Sequence, residues 1–265
     1  LNFYLNKPYV EASVSIEGGP KQSVDLLLDS GSGDALWLFI DEEKGIHLPG
    51  KSFEDFLGFG ISGSVYGYRS RIHTFSLDRY DMEDITVSYP DSLSLEAVSS
   101  FQERDGSMGA QVLKRFHSVI DYSGKNLRLR PNNYFHDPFE YNMSGVVVKH
   151  NGYRIVKNAA PGNTFQIQDR DPSEEGTRVY QTTRQVIYTL EPSYEIAEIR
   201  PDSPAEVSGL KIGDELISLN GRPAYKYNLQ KISEIFSSKE GKRIKMEVLR
   251  GGKTIEIEFR LERIL

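Results

Sequence analysis

Leu26-Leu27-Leu28-Asp29-Ser30-Gly31-Ser32-Gly33, followed by Asp34 and a second apolar run Ala35-Leu36-Trp37-Leu38-Phe39, decides how the first half of this chain is read. Two apolar runs around a short polar turn are a strand, a tight turn and a strand. Gly31 and Gly33 permit backbone conformations that a side chain would forbid. A buried strand thus delivers one carboxylate, Asp29, into a turn with the Ser30 hydroxyl beside it. An ordinary Asp-Ser-Gly is an Asx-turn in which the acid caps its own backbone, usually among polar residues. The apolar flanks set this one apart.

Working outward, the first half is rich in strand. Residues 9–16 alternate apolar and polar, as a half-buried strand does, and Gly18-Gly19-Pro20 turns the chain into the strand that ends at Asp29. Shorter strands are expected over 71–77 and 85–89, a short helix over 111–116, and a hairpin of 118–122 with 126–130 across Ser123-Gly124-Lys125. Gly106-Ser107-Met108-Gly109, then Val119-Ile120-Asp121-Tyr122 and Leu127-Arg128-Leu129, follow at a telling distance. With Asp29-Ser30-Gly31 these segments resemble the retropepsin-like aspartic proteases over roughly residues 8–131. The resemblance implies an acid-protease β-barrel lobe, with Asp29, Ser30 and Gly31 as its catalytic triplet and Gly109 as the glycine behind the turn. It also implies that the glycine-rich hairpin with Gly60, Gly63, Tyr66 and Tyr68 is a flap over substrate. Ser107 stands where that family usually has an aliphatic residue. Gly58-Phe59-Gly60-Ile61-Ser62-Gly63 matches the spacing of a dinucleotide loop, but an alternating aromatic stretch follows it where that loop needs a helix.

An aspartic protease needs two carboxylates sharing one proton. Asp29 is the only such acid here: Asp34 lies past the turn and reads as solvated, and Asp121 as a hairpin residue. The expectation is an aspartic endopeptidase whose second acid comes from a second lobe, either an upstream segment or the other copy in a homodimer. The alternative is an inactive peptide-binding scaffold. A serine hydrolase using Ser30 or Ser32 has no supporting histidine and no G-x-S-x-G elbow.

The second half carries a longer ordered string, Ile199-Arg200-Pro201-Asp202-Ser203-Pro204-Ala205, then Ser208-Gly209-Leu210-Lys211-Ile212-Gly213-Asp214-Glu215-Leu216-Ile217, then Asn220-Gly221. It resembles the PDZ domains of bacterial proteases. That implies an extended peptide added to a sheet edge beside a helix, its terminal carboxylate in a loop of backbone N–H groups. The edge would hold Gly145, Val146 and Val147, the loop residues 141–145. Leu229 and Ile232 would lie on the helix over 228–236, where apolar residues recur at helical spacing. Ser144 departs from the apolar residue usual before the loop glycine. Asn151-Gly152 reads as a turn, and residues 158 to about 190 as a polar insertion centred on Asp169–Gly176. The expected domains are a protease lobe over 1–131, a linker over 132–140 and a PDZ domain over 141–265. The fold class is mostly β, a β-barrel lobe plus a β-sandwich with one or two helices.

Composition bounds the rest. The 265 residues are 38% hydrophobic and 26% charged, enough for one large or two ordinary folded domains. No apolar run approaches the ~20 residues of a membrane span. The start at Leu1 without a basic-apolar leader is read as a processed or trimmed product. Cysteine is absent, which excludes disulfides and thiolate chemistry. The net charge of −6 resides in residues 1–131, with thirteen Lys+Arg against nineteen Asp+Glu, and such a surface repels phosphate backbones, so nucleic acid is not an expected partner. The five histidines lack ligand spacing, and neither metal nor cofactor is expected. Expected partners are a polypeptide substrate, a C-terminal peptide on the PDZ domain and the second protease lobe. The expected location, from the resemblance, is periplasmic or secreted.

Overall fold

The computed structural model describes residues 1–60, 63–91, 104–159, 164–166, 181–183 and 186–265. In chain order, β1 (Asn2–Tyr4), β2 (Lys7–Ser15), β3 (Gln22–Leu28), β4 (Leu36–Leu38), β5 (Ser52–Gly60), β6 (Gly63–Leu77), β7 (Tyr80–Pro90) and β8 (Gly106–Met108) build an eight-stranded sheet. Its order is β1-β2-β3-β8-β4-β7-β6-β5. A second pairing of β2 with β6, from Ser13 opposite Ser76 to Ser15 opposite Thr74, closes six strands on themselves. The result is a barrel in which β3–β8 and β4–β7 run parallel. Alternation drives this closure. In β2, Ala12 and Val14 are buried while Glu11 faces water, and Leu26, Leu36, Leu38, Phe75, Ile85, Val87 and Met108 complete the core without exposed surface.

The strands are longer than local pattern suggests, because cross-strand pairing carries β6 and β7 past their apolar stretches. The expected short helix is α1 (Ala110–Leu113), one turn only. Phe116 already opens β9 (Phe116–Asp121), which pairs with β10 (Asn126–Pro131) in the expected hairpin. Asp121 accepts hydrogen bonds from Ser123 Oγ and Gly124 N, both at 2.8 Å, and so fixes the turn.

Residues 132–140 are tied to the barrel. Arg115, fully buried, donates to the carbonyls of Tyr134 (2.7 Å), Phe135 (3.3 Å), Asp137 (2.6 Å) and Pro138 (3.2 Å). Its guanidinium lies 3.6 Å from the Phe139 ring centre.

Beyond this segment comes β11 (Val146–Ala159), which pairs antiparallel with β14 (Val186–Ile199) as far as Ala159 opposite Val186. Asn151-Gly152 is a bulge within β11 and not the expected turn: the register shifts between His150 and Tyr153, and Gly152 sits at φ 77. A small ladder joins β12 (Thr164–Gln166) to β13 (Gln181–Thr183); the Asp169–Gly176 centre of the expected insertion lies outside the described residues. The outer part of the β11–β14 ladder exposes Tyr153, Ile155, Tyr188 and Leu190.

The remaining elements are α2 (Pro204–Val207), β15 (Glu215–Leu219), β16 (Arg222–Pro223), α3 (Leu229–Phe236), β17 (Arg243–Arg250) and β18 (Lys253–Arg260). The sheet runs β11-β14-β15-β17-β18, with β16 on β15, and leaves β11 at its edge. Side-chain caps start both helices: Ser203 Oγ accepts from Glu206 N, and Asn228 Oδ1 from Lys231 N at 2.8 Å. A second apolar core, around Ile196, Leu219, Ile244 and Val248, lies under this sheet.

Asp214, 1% exposed, accepts two hydrogen bonds from Arg250 at 2.6 Å and one from Lys211 N at 2.9 Å. Burial alone would raise its carboxyl pKa, but the bonds from Arg250 and Lys211 outweigh burial and hold it below the usual carboxylate range. A depressed folded-state pKa contributes stability above the unfolded value of about 4, and that contribution is lost as pH falls through the folded value. Arg250→Met is expected to cost about 2 kcal/mol at pH 7, since it strands a buried charge. The gap to the parent should narrow at pH 3; urea unfolding at both pH values checks this.

Candidate peptide-binding site

A cleft of about 810 Å³ lies between the barrel and the C-terminal sheet. One wall is the free edge of β11, with Val146, Val147 and Val148, facing Leu229, Ile232 and Phe236 of α3. Helical spacing puts these three apolar side chains on one face of α3: Ile232 and Phe236 are buried in the core, and Leu229 is 38% exposed to the cleft. The opposite wall is the β5–β6 hairpin, where Tyr66, Gly67 and Tyr68 line the cleft. Phe56 lies edge-on to Phe59 and Tyr66, with ring centres 4.8 and 5.5 Å away.

The flap residues therefore sit beside the groove. Gly60 pairs with Gly63 at the hairpin tip, whose residues 61 and 62 lie outside the described residues. The Tyr66 hydroxyl donates to Glu198 Oε1 at 3.0 Å, and the Tyr68 hydroxyl to Glu54 Oε1 at 3.2 Å. Neither is bonded to Asp29. Tyr66 instead ties the hairpin to β14.

An ion-pair chain crosses the floor of the cleft. Arg69 pairs with Asp34 at 3.0 Å and with Asp55 at 2.9 Å, and Asp55 meets Arg200 at 3.5 Å. Asp34 also accepts from Trp37 Nε1 (2.7 Å) and Ser88 Oγ (2.8 Å). It is thus a partly buried member of a network, its side chain 16% exposed, and not the solvated acid expected from its place after the turn. Burial opposes the charge on Arg69, but Asp34 and Asp55 outweigh it and raise its pKa. Arg200 is pushed down by burial, with partial compensation from Asp55, and lies over the Phe53 ring at 4.6 Å.

The loop entering β11 is closed on itself. Met143 N donates to Phe236 O at 3.0 Å. Asn142 Oδ1 accepts from Ser144 N (3.0 Å), Ser144 Oγ (2.7 Å) and Gly145 N (3.3 Å), and Ser144 Oγ accepts from Val146 N at 3.0 Å. Asn142 Nδ2 donates to Val146 O at 2.7 Å. Asn142, Arg69, Asp55 and Arg200 do not stand out as site residues in the sequence. An Asx residue two positions before Ser144 is the available signal for Asn142. The ion network joins residues too far apart in the chain to announce itself.

Asp29 arrives at the end of β3, with its N–H on Met108 O at 3.0 Å. Gly109 crosses behind the turn at a distance only glycine allows, since a Cβ there would lie 2.3 Å from Asp34 O. The Asp29 carboxylate, however, accepts from its own turn, Gly31 N at 3.0 Å and Ser32 N at 3.2 Å. Among the described residues no second carboxylate is hydrogen-bonded to it, and Asp29, Ser30 and Gly31 do not line the cleft.

Comparison with known proteins bears on this geometry. Residues 195–250 match the family model described as PDZ domain. Among curated proteins, the periplasmic pH-dependent serine endoprotease DegQ of Escherichia coli (strain K12) is 34% identical over 67 residues, 25% of this chain and 14% of that protein. The chain thus corresponds to about one seventh of the relative's length. Among solved structures, the HtrA-type protease AlgW with decapeptide is 11% identical, over 96% of this chain and 61% of that one, with a TM-score of 0.26. The same protease with tripeptide is 13% identical, over 96% and 64%, at 0.24. Scores this low carry no argument about the barrel.

The C-terminal domain is a PDZ domain, and the chain as a whole is mostly β with a closed six-stranded barrel. The expectation of an aspartic endopeptidase is corrected: the curated relative is, by its name, a serine endoprotease. In the expected triplet Asp29, Ser30, Gly31, the carboxylate of Asp29 accepts from its own turn at Oδ1, as in an Asx-turn, and among the described residues no second carboxylate is hydrogen-bonded to it. The second lobe expected to supply that partner is withdrawn with it.

Proposed function

We propose that this chain acts in proteolysis by taking hold of a polypeptide in extended form, in the groove between β11 and α3. The observation that carries this reading is the outer edge of β11, with no strand beside it among the described residues and open beyond Val146, directly opposite an apolar helix face. That is the arrangement by which a peptide adds as one more strand and sets alternate side chains into a pocket. Gly145, Val146 and Val147 lead into the edge, Leu229 and Ile232 supply the pocket, and the hairpin with Tyr66 and Tyr68 the far wall. We divide the chain accordingly into a barrel domain over 1–131, a connecting segment over 132–140 and a PDZ domain over 141–265. The name of the curated relative supports a periplasmic location. Its serine chemistry is not extended to this chain: among the described residues no serine hydroxyl is hydrogen-bonded to a histidine ring, the couple that such a nucleophile needs.

Leu229→Asp tests the groove without touching the core. A buried leucine contact contributes about 1.5–3 kcal/mol, so the variant is expected to bind unfolded casein peptides at least tenfold more weakly by fluorescence anisotropy. Unchanged affinity would remove the groove from the function.

A further inference from the structure

The loop before β11 is where a PDZ groove would hold the carboxylate of a chain end, and in this protein its backbone N–H groups from Met143 to Val146 are all engaged. Each N–H from Met143 to Val146 already donates within the chain: to Phe236 O, to Asn142 Oδ1 twice, and to Ser144 Oγ. Ser144 is completely buried, and its hydroxyl is held by Asn142. The Asn142 side chain therefore occupies, with its own amide oxygen, the place an incoming carboxylate oxygen would take, while its Nδ2 caps the Val146 carbonyl. A carboxylate would have to break four to five hydrogen bonds and would find buried donors only after the loop had come apart.

Charge points the same way. Of the carboxylates that line the cleft, Asp34 and Asp55 are paired with arginines and Glu140 with Arg263 at 2.7 Å, whereas Glu54 and Glu198 accept from the Tyr68 and Tyr66 hydroxyls and keep their charge. Two guanidiniums face them: Arg69 is paired with both Asp34 and Asp55, while Arg200 meets Asp55 through Nη1 alone, its Nε and Nη2 being buried without a hydrogen-bond partner among the described residues. Such a cleft repels an added carboxylate and favours lysine and arginine. The β11 edge beyond Val146 and the apolar face of α3 remain as recognition elements, and neither needs a chain end.

We propose that the groove takes an internal, extended, cationic stretch of polypeptide and not a C-terminus. This rests on the reading of the groove as the peptide site. The test is an array of ten-residue peptides tiling casein, printed in two formats: coupled through the C-terminus, so that no carboxylate is free, and coupled through the N-terminus, so that it is. Both are probed with the full chain. The same peptides are expected to bind in both formats, with Lys and Arg enriched among them. Binding confined to free-carboxylate peptides would overturn this inference while leaving the peptide site intact. Binding in neither format would overturn the peptide site and this inference together. The double variant Asn142→Ala, Ser144→Ala, checked for folding by circular dichroism, should gain at least a tenfold preference for the free-carboxylate format. No gain in a folded variant would show that these two side chains are not what closes the loop, and would overturn the proposal.

Discussion

Arg69→Met is expected to lower stability by about 3–5 kcal/mol, among the largest losses available to a single substitution in this chain. The arginine is 8% exposed and is the only cation between Asp34 and Asp55 in their network. Methionine keeps much of the volume, so the effect comes from charge: two carboxylates are left in a poorly solvated place. Asp34 retains Trp37 and Ser88 as donors, and Asp55 retains Arg200. None of these replaces a guanidinium that both acids share. Adding Asp34→Asn should recover part of the loss, because one stranded charge is then removed. Urea unfolding of the single and double variants decides it: a loss under about 1 kcal/mol in the single variant would mean that water already screens the network.

Gly145→Ala is expected to cost about 2–4 kcal/mol and to abolish peptide binding. Gly145 has φ 77, where an L residue with a Cβ is disfavoured by about 1–2 kcal/mol. Its Cβ would also lie 2.3 Å from Ser203 Cβ and 2.5 Å from Ser203 Oγ, the oxygen that caps α2, so overpacking and a lost cap add to the strain. Gly152 is the control. It has the same φ of 77, but an added Cβ there would meet nothing within 4 Å, so Gly152→Ala should cost about 1 kcal/mol and leave binding alone. Urea unfolding and peptide anisotropy of both variants check this. Equal losses at the two positions would mean that backbone conformation alone matters and that the packing against Ser203 does not.

Much of this architecture is legible in the chain. Alternation in residues 9–16 and the apolar flanks of the Asp29 turn announce β2, β3 and β4, and the Gly209–Leu216 string announces the PDZ domain, because local pattern there agrees with what the tertiary structure needs. The helix over 229–236 is readable for the same reason: its buried positions recur at helical spacing and an asparagine caps it. Asp34 reads wrongly as solvated because its partners, Arg69 and Ser88, are 35 and 54 positions away, and no local signal distinguishes a solvated acid from one that a later strand will cover. The Asp29 triplet misleads in a different way. The same residues make an Asx-turn or half of an acid pair, and the difference lies in what stands opposite the carboxylate, which the local sequence does not encode. The bulge at Asn151-Gly152 resembles a turn since both use a glycine at positive φ; only the partner strand tells them apart.

Arg115 gives the short run from Asn132 to Glu140 a character that its length would not suggest. A run this short between two folded bodies would ordinarily be a tether, and a groove on a tether samples many bearings. One guanidinium gathering four carbonyl oxygens converts the tether into a bracket. On the proposed reading of the groove, a polypeptide lying there would meet the barrel at one bearing.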